Sequence, residues 1–181
     1  MKKWKLINRT TLLEHPRLNV YEDDVELPNG NQTKYIHFGK KAEATSIIPI
    51  GPDRRILVQK EMSYPINEWL YQFPGGAVEP NETIHAGALR ELEEEAGHIG
   101  KLQEIGKFYV NNRRSQDAIY VFVATELVET ATNWDAEEDL VSYWFTISEI
   151  NEMIATGEIT NPSMLCAWAL FCASDVFPDQ K

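Results

Sequence analysis

The run Phe73-Pro74-Gly75-Gly76-Ala77-Val78-Glu79, with Glu82 and the stretch TIHAGALRELEEEAG from Thr83 to Gly97 behind it, decides how this chain is read. Thr83 to Ala96 has no proline and is rich in Ala, Leu and Glu, which predicts a helix closed by a left-handed glycine at Gly97. On that helix Glu91, Glu94 and Glu95 are spaced by three and four residues, so at 100° per residue they share an arc of roughly 100°. Ala88, Leu89, Leu92 and Ala96 fall on the other side, where they can bury an apolar stripe. Like charges at such spacing repel by about 0.2–0.5 kcal/mol per pair. A glutamate-rich face can simply be solvated, but Gly75 and Gly76 directly upstream permit positive φ and close backbone approach, so loop and helix read as one unit suited to a divalent cation.

Outward from this unit, the elements before it read as strands. Lys3 to Phe38 forms a strand-built extension, with Asn19–Leu27 and Thr33–Phe38 joined as a hairpin by Pro28-Asn29-Gly30-Asn31. Ser46–Ile50 and Arg55–Gln59 flank Gly51-Pro52-Asp53 and predict a second hairpin. Trp69, Tyr71 and Phe73 alternate like one face of a strand. After the helix, Ile105–Val110, Ala118–Ala124 and Val141–Phe145 read as strands. Thr146-Ile147-Ser148-Glu149 resembles a capping box opening a helix that Gly157 ends, and Asn161-Pro162 opens a last helix through Ala173.

At 181 residues the chain suits one domain with a small extension, and 43% apolar with 25% charged residues is ordinary globular composition. A formal net charge of -11, with no block of Lys and Arg, argues against polymeric nucleic acid as partner. It leaves room for a small phosphorylated ligand, provided that divalent cations bridge clustered carboxylates to phosphate oxygens. Cys166 and Cys172 are too few for a disulfide scaffold and are expected to be reduced and buried. With no apolar stretch of signal-peptide or membrane-spanning length, the composition predicts a soluble cytoplasmic protein with no membrane partner.

Gly76, Glu82, Arg90-Glu91-Leu92, Glu94-Glu95 and Gly97, at these intervals, resemble the Nudix box, with seven residue types fixed over 22 positions; only His98 departs, where an aliphatic residue is usual. The resemblance implies an α/β fold, an α/β/α sandwich with a mixed sheet over residues 41–181, preceded by the antiparallel β extension of residues 1–40. It implies Glu91, Glu94 and Glu95 as metal ligands, a backbone carbonyl ligand from Gly75, Arg90 orienting a carboxylate and Glu82 in a structural role. The cofactor implied is Mg2+, with Mn2+ as substitute.

Beyond the box, the N-terminal strands, Tyr64–Gly76 and the segment from Glu138 onward resemble the ADP-ribose and nucleoside diphosphate sugar pyrophosphatase branch. Members are usually homodimers in which the N-terminal strands complete the partner's site, so a homodimer is expected. The branch's general base lies in the loop before the last strand, where Glu137 and Glu138 are both candidates and Ala136 stands at the position the base often takes. Ser63 replaces a substrate-gripping arginine, Gln72 a common glutamate, and Asn111-Asn112-Arg113-Arg114-Ser115 the usual Ser-Pro-Gly loop. Arg113 and Arg114 either bind phosphate or form a basic surface tip. Trp69 is either a core or dimer contact or a nucleobase platform, Trp134, near the acidic loop, is a candidate pocket wall, and Trp144 and Trp168 read as core. His37, His85 and His98 read as surface or packing residues.

The expected reaction is hydrolysis of the pyrophosphate of ADP-ribose or a nucleotide sugar to a nucleoside monophosphate and a sugar phosphate. The alternatives are a dinucleotide polyphosphate or nucleotide-cofactor hydrolase and, from another class, a nucleotide-sensing module without catalysis, whose mark would be a damaged box.

Overall fold

A computed structural model describes residues 2–39, 43–131 and 140–176. Two compact units are formed, one from Met1–Ala42 with Tyr109–Ala118, the other from Glu43–Phe108 with Ile119–Lys181.

In the first unit, β1 (Lys5–Leu13), β2 (Val20–Glu26) and β3 (Gln32–Phe38) make an antiparallel sheet with β2 central. The expected β2–β3 hairpin is present, closed where the Leu27 amide donates to the Asn31 carbonyl at 2.8 Å and Gly30 takes φ +87. Strand β1 is exposed along its whole length, Leu6, Ile7, Leu12 and Leu13 included. Asp23 of β2 is buried, and Arg9 of β1 meets it with two hydrogen bonds of 2.7 Å. His37 Nε2 lies 3.0 Å from the same carboxylate, so His37 is a member of an ion-paired cluster rather than an ordinary packing residue.

The second unit contains β4 (Glu43–Pro49), β5 (Ile56–Ser63), β6 (Glu68–Gln72), α1 (Ile84–Glu94), β7 (His98–Tyr109), β8 (Ala118–Glu129), β9 (Leu140–Phe145), α2 (Ile147–Thr156) and α3 (Pro162–Ala173), with the outermost residues of β7 and β8 belonging to the first unit. Strand order is β4-β8-β7 in one sheet and β6-β5-β9 in another. Because successive side chains point to opposite faces, the strands divide their apolar residues between two cores. Ile48, Ile56, Val58, Val121 and Val123 pack with Ile150 of α2 and Met164, Trp168 and Phe171 of α3. Ile47, Leu57, Phe122 and Ala124 pack with Ala88, Leu92 and Ala96 on the α1 side. Both faces of these strands are thus covered by helices, the α/β/α layering expected of the fold class.

Strands β4 and β5 do not form the expected hairpin. The Gly51–Arg55 turn closes with 2.8 Å between the Gly51 amide and the Arg55 carbonyl, but only Ile50 and Ile56 pair beyond it. The strands then part, β4 to β8 and β5 to β6 and β9, because each finds a longer ladder elsewhere. The capping box of α2 is present: Thr146 Oγ1 accepts from the Glu149 amide at 3.2 Å, Glu149 Oε2 from the Thr146 amide at 2.7 Å, and Gly157 takes φ +80. Asn161 Oδ1 caps α3 at the Ser163 amide. Cys166 and Cys172 are free thiols but exposed, not buried, because α3 turns Met164, Ala167, Trp168 and Phe171 inward. Trp168 is in the core and Trp144 packs at its margin on the α1 side.

Candidate active site

Helix α1 starts where Thr83 Oγ1 accepts the Ala86 amide at 3.1 Å, and ends one residue before Glu95, whose amide still donates to the Glu91 carbonyl at 3.0 Å. Glu91 therefore stays in register with Ala88 and Leu92, on the buried border of the helix, and Glu95 on its last turn is buried too. Facing them, Pro74 to Gly76 runs along β4, with 2.7 Å from the Ile47 amide to the Pro74 carbonyl and 2.9 Å from the Thr45 amide to the Gly76 carbonyl.

Two glycines make that approach sterically feasible. A Cβ on Gly75, whose φ is +146, would lie 2.1 Å from the Thr45 carbonyl oxygen, and one on Gly76 would lie 2.5 Å from Glu91 Oε1. The Gly75 amide donates to Glu95 Oε2 at 2.8 Å, and Gln59 Nε2, fully buried on β5, donates to the Glu95 carbonyl at 3.0 Å. Loop, helix end and β5 are thus locked together around Glu95.

Arg90 organises the remaining carboxylates. Its guanidinium lies 3.2 Å from Glu82 Oε1 and 2.9 Å from both Glu91 Oε1 and Glu94 Oε2, and it donates to the Ala77 carbonyl at 3.0 Å. Burial works against its charge, but Glu82, Glu94 and Glu91 outweigh burial and raise its pKa. Glu82 is held below the usual carboxylate range by Arg90 and by the Glu79 amide, which donates to Glu82 Oε2 at 3.0 Å.

Four carboxylates, those of Glu82, Glu91, Glu94 and Glu95, surround this one guanidinium and one backbone amide. Among the described residues, no three acidic, His or Cys groups converge as they stand into a ready metal cluster, because Glu91 and Glu94 are turned onto Arg90 and Glu95 onto Gly75. The donor chemistry nevertheless fits a hard divalent cation, since every side chain offered is an oxygen donor and the set keeps an excess of negative charge. Thr45 Oγ1 on the strand facing Gly75, and Gln59 Oε1 beside Glu95, are buried without a hydrogen-bond partner among the described residues.

The other sequence candidates fall elsewhere. Arg114 donates to the Ile36 carbonyl at 2.7 Å and lies over the Tyr35 ring, and Tyr35 donates to the Arg113 carbonyl, all within the first unit. Arg113 lines a cleft of that unit with Arg9, Asp23 and His37. Trp69 is half-exposed at the end of a row whose other members, Tyr71 and Phe73, are buried. Glu137, Glu138 and Trp134 lie outside the described residues. Sequence reasoning missed Gln59, which binds the Glu95 carbonyl and which alternation on β5 marks: it shares the strand face of Leu57, opposite the Ile56 and Val58 face.

Residues 40–167 match the family described as NUDIX domain. The chain is 28% identical over 158 residues to the ADP-ribose pyrophosphatase of Bacillus subtilis (strain 168), covering 86% of this chain and 85% of that protein. It is 32% identical over 152 residues to diphosphoinositol polyphosphate phosphohydrolase 2 of Rattus norvegicus, covering 81% and 80% of the two chains. A crystal structure of an ADP compounds hydrolase superposes with a TM-score of 0.86 at 21% identity, covering 94% of this chain and 93% of that one, which shows the shared fold. With its box residues folded into one loop-and-helix unit and most of its length matched, the chain belongs to the Nudix hydrolase family.

Proposed function

We propose that this enzyme hydrolyses the pyrophosphate of ADP-ribose or a nucleotide sugar with Mg2+ as cofactor, releasing a nucleoside monophosphate and a sugar phosphate. The observation that carries the reading is the burial of Glu91 and Glu95 against Gly75 and Gly76, with Glu94 beside them on one helix face. Similarity over most of the chain to an ADP-ribose pyrophosphatase supports the substrate class.

Glu91, Glu94, Glu95 and the Gly75 carbonyl would hold the metal, which supplies charge neutralisation of the phosphates and activation of water. Arg90 keeps the Glu91 and Glu94 carboxylates oriented, and the Gly75 amide fixes Glu95. Glu137 or Glu138 is the proposed general base, and separate replacement of each identifies it, because only the base loses rate steeply while metal affinity holds. Since Arg114 is engaged with Ile36 and Tyr35, Arg113 is the arginine of the pair with the freer role in gripping an anionic group, and Trp69 offers an exposed ring to a nucleobase. The exposed apolar β1 supports a homodimer, and the free thiols of Cys166 and Cys172 suit the cytoplasm.

A second reading, a substrate bearing a polyphosphorylated group, is favoured by the likeness to a diphosphoinositol polyphosphate phosphohydrolase. Monophosphate release from ADP-ribose, GDP-mannose, UDP-glucose and diadenosine polyphosphates, measured with Mg2+ and with chelator, decides between them. Turnover of the first three groups supports the proposal, turnover of the polyphosphates alone supports the second reading, and no turnover by folded protein contradicts both.

A further inference from the structure

Strand β5 turns a row of three side chains, Leu57, Gln59 and Glu61, toward the α1 side of the sheet. Leu57 packs in the core with Leu92 and Ala96. Gln59 is fully buried and binds the Glu95 carbonyl through Nε2, while its Oε1 has no hydrogen-bond partner among the described residues. Glu61 comes next, at the open end of the row. Alternation sends Lys60 to the other face, where its ammonium lies 4.6 Å from the centre of the Tyr71 ring and leaves Glu61 without it as a counter-charge.

Across the ladder Gln72 stands opposite Gln59, three residues before the Gly75 amide that holds Glu95. The Gln72 amide donates to Glu61 Oε2 at 2.6 Å, and Glu61 Oε1 has no partner among the described residues. Glu61 and Gln72 line a groove with Ser63, Tyr64, Leu70 and Asn161, and among the described residues no lysine or arginine lines it. A carboxylate fixed by one oxygen thus stands two residues along β5 from the Gln59 that binds Glu95, in a groove without basic residues among those described.

We infer that Glu61, held by Gln72, selects the substrate's second group: it accepts hydrogen bonds from the hydroxyls of a neutral, polyhydroxylated group and excludes one carrying further phosphates. An ionised carboxylate is acceptor-only, so vicinal hydroxyls satisfy it whereas phosphate oxygens repel it. The inference rests on the pyrophosphatase reading above and deepens its choice of substrate.

The test compares wild type with Glu61→Gln in two assays. With Mg2+, kcat/KM for ADP-ribose relative to diadenosine pentaphosphate falls about tenfold in the variant, because a site built to bind hydroxyls loses its acceptor. In chelator, where nothing turns over, calorimetry gives about tenfold weaker ADP-ribose binding in the variant, with ADP itself, which lacks the terminal ribose, bound equally by both proteins. An unchanged ratio with unchanged ADP-ribose binding overturns the inference, as does an equal loss of ADP and ADP-ribose binding, which would mark Glu61 as structural. Wild type that hydrolyses nothing contradicts the pyrophosphatase reading, and the binding assay still reads Glu61.

Discussion

Gly75 carries the tightest steric constraint at the site. An alanine there would bring Cβ to 2.1 Å from the Thr45 carbonyl at a φ of +146, against backbone that cannot swing aside. Gly75→Ala should therefore cost about 3 kcal/mol or more in stability, read as a lowered urea midpoint, and an unchanged midpoint would refute the close approach. Gly76→Ala differs in kind, because what it meets at 2.5 Å is the end of the Glu91 side chain. Its cost should fall on turnover more than on unfolding, through displacement of that carboxylate. Glu94 is more exposed than Glu91 and Glu95 and is paired with Arg90, so Glu94→Gln should leave the fold intact yet lower kcat by about a hundredfold, as loss of a metal-positioning ligand does.

At the scale of elements, α1 and its loop were legible because their constraints are local. Thr83, the glutamate spacing and Gly97 are written consecutively, and the helix formed within two residues of its expected end. The capping box of α2 and the Asn161-Pro162 start of α3 were legible for the same reason. The β4–β5 pairing was not, since a Gly-Pro-Asp turn specifies a reversal of the chain but not which partner each strand then prefers. Nor was the Arg9–Asp23–His37 cluster, whose members come from three strands and meet only once register is set. Arg9, and then His37, hold Asp23 below its ordinary value of 3.8 despite burial. With a lowered folded pKa, the stabilisation is present above pH 3.8 and is lost as pH falls through the folded value. Urea midpoints of wild type and Asp23→Asn should accordingly differ at pH 6 and converge at lower pH, whereas a gap that persists in acid would contradict the role given to this ion pair.

For the whole molecule, β1 leaves Leu6, Ile7, Leu12 and Leu13 uncovered, an exposed apolar edge of a kind that folded proteins seldom leave bare. Light scattering on the eluting protein should give twice the chain mass, and Leu6→Asp with Leu12→Asp should give the chain mass itself; a wild-type monomer would contradict the dimer. The catalytic reading, by contrast, depends on a few atoms around Glu95: its side chain on the Gly75 amide, its carbonyl on Gln59. The measurement that tests it most directly follows AMP release from ADP-ribose by wild type in Mg2+, by wild type in chelator and by Glu95→Gln. Release that needs Mg2+ and falls about a hundredfold or more in the variant is the predicted result. Release that survives the chelator, or a variant at the wild-type rate, would contradict it.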